Sequence, residues 1–187
     1  MDLAGDPLLP QTLAIVEQFT RLASSTRVSN TVGHQSMPVT PGWSSFMESL
    51  CIRFYSPPNI RRFLELFWRL WYPHCPIVHR ASFQAENTPP PLLATMLVIG
   101  ACVSSHEADK ETAKLWFDRL EEIAFGPELV SSAQYAGRAE RLECLQTMYF
   151  ACLIQTWEGS NVAKRRIRQS RFSALLTVRK CSYPCTF

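Results

Sequence analysis

Apolar residues along this chain recur at helical rather than strand spacing. Ile15, Val16, Phe19 and Leu22 share one face of a helix expected over about 10–23. Ser24 to Gly42 follows, rich in Ser, Thr, Pro and Gly and without an apolar period, which reads as a linker. Ser45 with Glu48 three residues on suggests a capping box, opening a short helix lined by Phe46, Leu50, Cys51 and Phe54. Asn59 is the expected N-cap of the next helix, whose stripe runs Ile60, Phe63, Leu64, Phe67, Leu70, Trp71. Tyr72-Pro73-His74-Cys75-Pro76 must stop it, because proline lacks the amide donor and restricts its predecessor.

Beyond an extended connector at Ile77–Arg80, Pro89–Pro91 open a helix that is apolar on every side, the mark of a buried element. Ala113, Trp116, Phe117, Leu120, Ile123 and Ala124 repeat the amphipathic stripe up to Gly126-Pro127. A loop is then expected, followed by an almost wholly apolar helix from Leu142 to Trp157 closed by Gly159. Ser160 or Asn161 can cap a last helix. No alternating strand pattern or Asn-Gly hairpin occurs, so the fold class is all-α, an irregular domain of six or seven helices. The expected organisation is a helix at 1–23, a linker at 24–44, a helical domain at 45–180 and a frayed tail at 181–187.

Composition adds a core and a charge asymmetry. Hydrophobic residues make up 47 % of 187 and charged residues 19 %, too apolar for a disordered chain. The net charge of +3 hides a split: from Asn161 onward there are Lys164, Arg165, Arg166, Arg168, Arg171, Arg179 and Lys180 with no acid. The longest apolar stretch, Pro89 to Val103, is shorter than the roughly 20 residues of a membrane span, so no membrane partner is expected. Seven cysteines without a secretory leader favour a reducing, intracellular setting in which the thiols are structural.

Several segments together resemble the fungal-specific transcription factor domain, the middle homology region of fungal zinc-cluster and zinc-finger regulators. Phe63-Leu64-Glu65-Leu66-Phe67 followed by Tyr72-Pro73-His74-Cys75-Pro76-Ile77-Val78-His79-Arg80-Ala81-Ser82-Phe83 is similar to that family's opening helix and connector. Pro90 to Ala101, Leu145-Gln146-Thr147-Met148-Tyr149, and Ile154 to Arg168 resemble its later helices, so the resemblance covers roughly 60–180. It implies the regulatory domain of a nuclear factor regulating RNA polymerase II transcription, contacting the transcription machinery or regulatory proteins, with a homodimer as a further option. DNA is reached indirectly or through the full-length factor. Zinc is expected only in a DNA-binding module not visible in this chain, and the helical domain reads as incomplete at its C-terminal end. The alternative is a free-standing truncated interaction module that competes for a full-length regulator's partners.

Catalytic and metal chemistry finds little support in the sequence. There is no Gly-x-Ser-x-Gly elbow and no Gly-rich phosphate loop, and no enzyme is expected. Cys102 and His106 at i, i+4, and His74, Cys75 and His79, fall short of four converging ligands, so no metal or other cofactor site is assigned. The acidic patch of Glu107, Asp109, Glu111 and Asp118 reads as a solvated face. The candidate site is the basic run Lys164, Arg165, Arg166, Arg168 and Arg171, suited to DNA phosphates or nuclear import. Its competing reading pairs these cations with acids of a neighbouring helix such as Glu121 and Glu122.

Overall fold

The computed structural model describes residues 5–29, 43–135 and 137–180. Its helices are α1 (Leu9–Ser29), α2 (Ser45–Phe54), α3 (Pro57–Leu66), α4 (Pro90–Cys102), α5 (Glu107–Lys114), α6 (Phe117–Ala124), α7 (Pro127–Tyr135), α8 (Arg138–Trp157), α9 (Asn161–Arg166) and α10 (Phe172–Lys180). π-helical turns at Phe67–Trp71 and Ile167–Arg171 extend α3 and α9, and three short 3₁₀ turns lie between α3 and α4. Among the described residues there is no strand, so the domain is all-α as the periodicity predicts.

α4 is the central rod. Leu92 through Ala101 are all buried, and the helix packs against α1, α3, α5, α6 and α8. At Gly100 it meets α3 backbone to backbone: a Cβ placed there would lie 2.0 Å from the Phe63 carbonyl oxygen. A second centre of packing is aromatic. Phe19, Phe54, Tyr55 and Trp116 come from α1, α2 and the α5–α6 junction, with ring centroids 4.8 to 5.9 Å apart. A smaller core under α10 joins Ala124, Cys144, Met148, Ala151 and Val178.

The structure departs from the sequence reading at several boundaries. α1 continues to Ser29, six residues into the expected linker; residues 30–42 and the tail at 181–187 lie outside the described residues. α2 is capped by Ser44, whose hydroxyl accepts from the Met47 amide at 3.3 Å, not by a box at Ser45, and Phe46 is 69 % exposed. α3 starts at Pro57 behind Ser56, since proline at a first-turn position loses no hydrogen bond there. Asn59 instead donates to the Arg53 carbonyl at 2.9 Å. Leu70 is exposed because the wider π winding turns position i+3 away from Phe67, while Trp71 at i+4 stays beneath it. The single helix expected across Ala113–Ala124 is two helices joined at Trp116, which is thereby fully buried. The loop expected after Gly126 contains α7.

Burial sets the chemistry of the thiols. Cys51 and Cys152 are fully buried, and desolvation pushes the Cys152 thiol up to about 12 and Cys51 higher still. The thiolate is the reactive form, and burial that disfavours the charged thiolate suppresses it in both residues. Both residues are therefore expected to resist iodoacetamide at pH 8 in the native protein and to label fully in guanidinium, with mass mapping as the readout. Labelling at native rates equal to the unfolded ones would overturn the structural assignment.

Candidate functional site

The basic run sits on α9 and the π-turn after it. Ser160 starts this segment, accepting from the Ala163 amide at 3.2 Å, as the capping pattern predicts. In a regular α-helix two residues five apart diverge by about 140°. The i→i+5 winding of Ile167–Arg171 closes that angle, so Arg166 and Arg171 reach the same carboxylate. That carboxylate is Glu121 of α6, whose side chain is only 1 % exposed.

Arg166 grips Glu121 with two bonds, Nε to Oε1 at 2.6 Å and Nη2 to Oε2 at 2.5 Å. Arg171 adds Nε to Oε1 at 2.8 Å, and its guanidinium lies 4.9 Å over the Phe125 ring. Asp118, three residues before Glu121 and so on the same helix face, accepts from Arg166 Nη2 at 2.9 Å. Gln155 of α8 ties the two acids together, donating to Asp118 at 2.8 Å and to Glu121 at 3.1 Å. The hydrogen bonds to Glu121 hold Arg166 above the usual arginine range. Two cations face two anions with the geometry of charge-assisted, partly bidentate bonding.

The five predicted residues thus divide. Arg166 and Arg171 point inward and are spent on α6. Arg165 and Arg168 are exposed, Lys164 is half-buried, and none of the three forms an ion pair among the described residues. Pairing with a neighbouring helix holds for Glu121, but its companion is Asp118 and not Glu122. The acidic patch is likewise not simply solvated: Asp118 belongs to this clamp, and Asp109 is engaged by Arg62 at 2.8 Å and by Ser104 at 2.6 Å. The Arg62 hydrogen bond holds the Asp109 carboxyl below its usual range.

Gln155, and the pairing of Asp118 with the basic run, escaped the sequence reading. The signals were a polar amide inside an apolar helix, which needs a buried partner, and two acids at i, i+3 on one stripe. The metal alternatives lose their geometry. α4 ends at Cys102 and His106 precedes α5, so these two do not share a helix face. His79 bonds Ser82 at 2.9 Å at the surface, and among the described residues no group of three His, Cys, Asp or Glu side chains could hold a metal. Nor, among those residues, is any helix long and apolar enough to cross a membrane.

Residues 64–166 match the fungal specific transcription factor domain. This span starts in α3 and closes on Arg166, enclosing α4, α6, α8 and four of the five clamp residues. The chain belongs to that family. A relative, transcription factor verF of Penicillium polonicum, is 36 % identical over 187 aligned residues, covering 95 % of this chain and 24 % of the relative. The chain therefore spans about a quarter of the curated relative it matches. No solved structure matches it. The clamp fastens α9 and the π-turn after it, at the end of the matched fungal specific transcription factor domain, to α6.

Proposed function

We propose that this chain is the regulatory domain of a fungal nuclear transcription factor that controls RNA polymerase II transcription through protein contacts. DNA is read by a zinc module outside this chain, and the domain itself performs no catalysis. The observation that carries this reading is the inward turn of Arg166 and Arg171. The most basic stretch of the chain gives two of its five candidate cations to Glu121 and Asp118. Family membership and the transcription factor relative supply the regulatory context. Lys164, Arg165 and Arg168 remain for nuclear import or for a contact with the transcription machinery, and the cationic surface they offer is small for reading a duplex.

Binding through phosphates weakens steeply with salt, in proportion to the number of phosphates neutralised. The purified chain is expected to show no duplex binding in fluorescence anisotropy at 150 mM salt. Fused to an unrelated DNA-binding domain in a fungal reporter strain, it is expected to change transcription relative to that domain alone. Tight duplex binding together with an unchanged reporter would overturn the proposal.

A further inference from the structure

A second feature shares no residue with the clamp. Between the connector that follows the α3 extension and the N-terminal half of α8 lies a cleft of about 280 Å³. Its apolar floor is Val78 and Leu92, both buried, and Phe83 and Leu142 line it as well. Gln146 fixes the connector to α8 through a 2.7 Å hydrogen bond from Nε2 to the Ile77 carbonyl. The cleft is thus framed by tied elements and not by loose side chains. Leu142 is 55 % exposed although it sits in the middle of this wall, which leaves an apolar surface facing the opening.

Glu143 is the acid of the cleft. It is half-buried and forms no ion pair among the described residues. Burial raises its carboxyl above the ordinary range, and the neighbouring Glu140 pushes the same way. Glu140 adds a like charge on the same helix and is itself held by the Gly137 amide at 3.0 Å as the cap of α8. A half-buried carboxylate without an ion pair beside an apolar floor suits a cation that also carries hydrocarbon. Size narrows the choice. Drug-sized ligands occupy pockets of roughly 300–1,000 Å³, so this cleft suits one short chain.

We propose that the cleft binds an alkylammonium group, with the cation on Glu143 and the hydrocarbon against Val78, Phe83 and Leu142. The group is either that of a free small amine or the lysine side chain of a partner protein. This inference does not depend on the function proposed above, and its test reads binding and not transcription.

The experiment titrates the full ¹⁵N-labelled chain with hexylammonium, following amide shifts of Val78, Phe83 and Gln146. Hexanol and hexanoate serve as controls of equal length. Hexylammonium is expected to give saturable shifts at these residues, and hexanoate none. Glu143→Gln is expected to weaken binding by about tenfold or more with the rest of the spectrum preserved. Leu142→Ala, at an exposed position that the fold does not need, is expected to weaken it as well. A blocked tripeptide with a central lysine distinguishes the sources: tighter binding than hexylammonium assigns a partner's lysine, weaker binding a free amine. No saturable shift at millimolar hexylammonium, equal shifts with hexanol, or unchanged affinity in Glu143→Gln would overturn the proposal.

Discussion

Gly100→Ala is expected to be among the most damaging single substitutions in this domain, although alanine is the better helix former. In an exposed helix the change gains about 1 kcal/mol. Here the added methyl would lie 2.0 Å from the carbonyl oxygen and 2.8 Å from the carbonyl carbon of Phe63. Both are backbone atoms inside α3, so no side chain can swing away. Relief requires α3 and α4 to separate, and that opens the packing of Ile60, Phe63, Leu97 and Ala101. Overpacking typically costs 1–3 kcal/mol, and a backbone obstacle belongs at or above the upper end, so a loss of about 3 kcal/mol is expected. With domain stabilities of roughly 5–15 kcal/mol, that is a large share of the total. Urea unfolding followed by circular dichroism measures it. Gly5→Ala, where nothing lies within 4 Å, is the control and should stay within about 0.5 kcal/mol of the parent. A Gly100→Ala midpoint equal to that of the control would mean that the two helices do not touch as described.

Glu121→Gln carries the second large effect, because it joins stability to function. The amide cannot neutralise Arg166 and Arg171, and its NH₂ would face their donors. Breaking a buried ion pair by removing one partner costs about 3–5 kcal/mol, since the remaining charge is left uncompensated. Arg166 is 36 % exposed and can turn to water, so about 3 kcal/mol is the expected loss. Removing the charges together is a different matter: Glu121→Leu combined with Arg166→Met and Arg171→Met is expected to recover most of the stability. The same Glu121→Gln substitution should release two cations to solvent. Heparin or duplex DNA affinity should then rise, with a steeper dependence on salt than in the parent chain. An unfolding midpoint and a salt slope both unchanged would show that the clamp neither holds the last helices nor sequesters the arginines.

Much of the fold was legible in the sequence because periodicity reports burial. Pro90–Cys102 was apolar on every side and is the central rod, while Ile15, Val16, Phe19, Ile60, Phe63 and Phe67 line the core as their spacing predicted. Helix ends written in proline or in a capping serine were legible for the same reason: the signal lies within a few residues of the event. Such signals failed where two neighbouring residues could serve equally, as with Ser44 and Ser45 or Ser56 and Asn59. They failed again where winding changed, because a π-turn moves every later residue around the axis without leaving a mark in the pattern. Leu70 paid for that shift by facing solvent.

The sequence by itself determined that this protein is all-α, that the helix opened by Pro89–Pro91 is buried and where the basic cluster lies, for each follows from the order of side chains along the chain. Only the tertiary structure decided which cations of the basic cluster are paired and with which acids. Arg166 and Glu121 stand 45 residues apart, and Arg171 joins them only because a π-turn rotates it into place. Whether an arginine meets a phosphate or a buried carboxylate depends on which helix packs beneath it. Charge attracts across space, and a linear pattern holds no record of that distance.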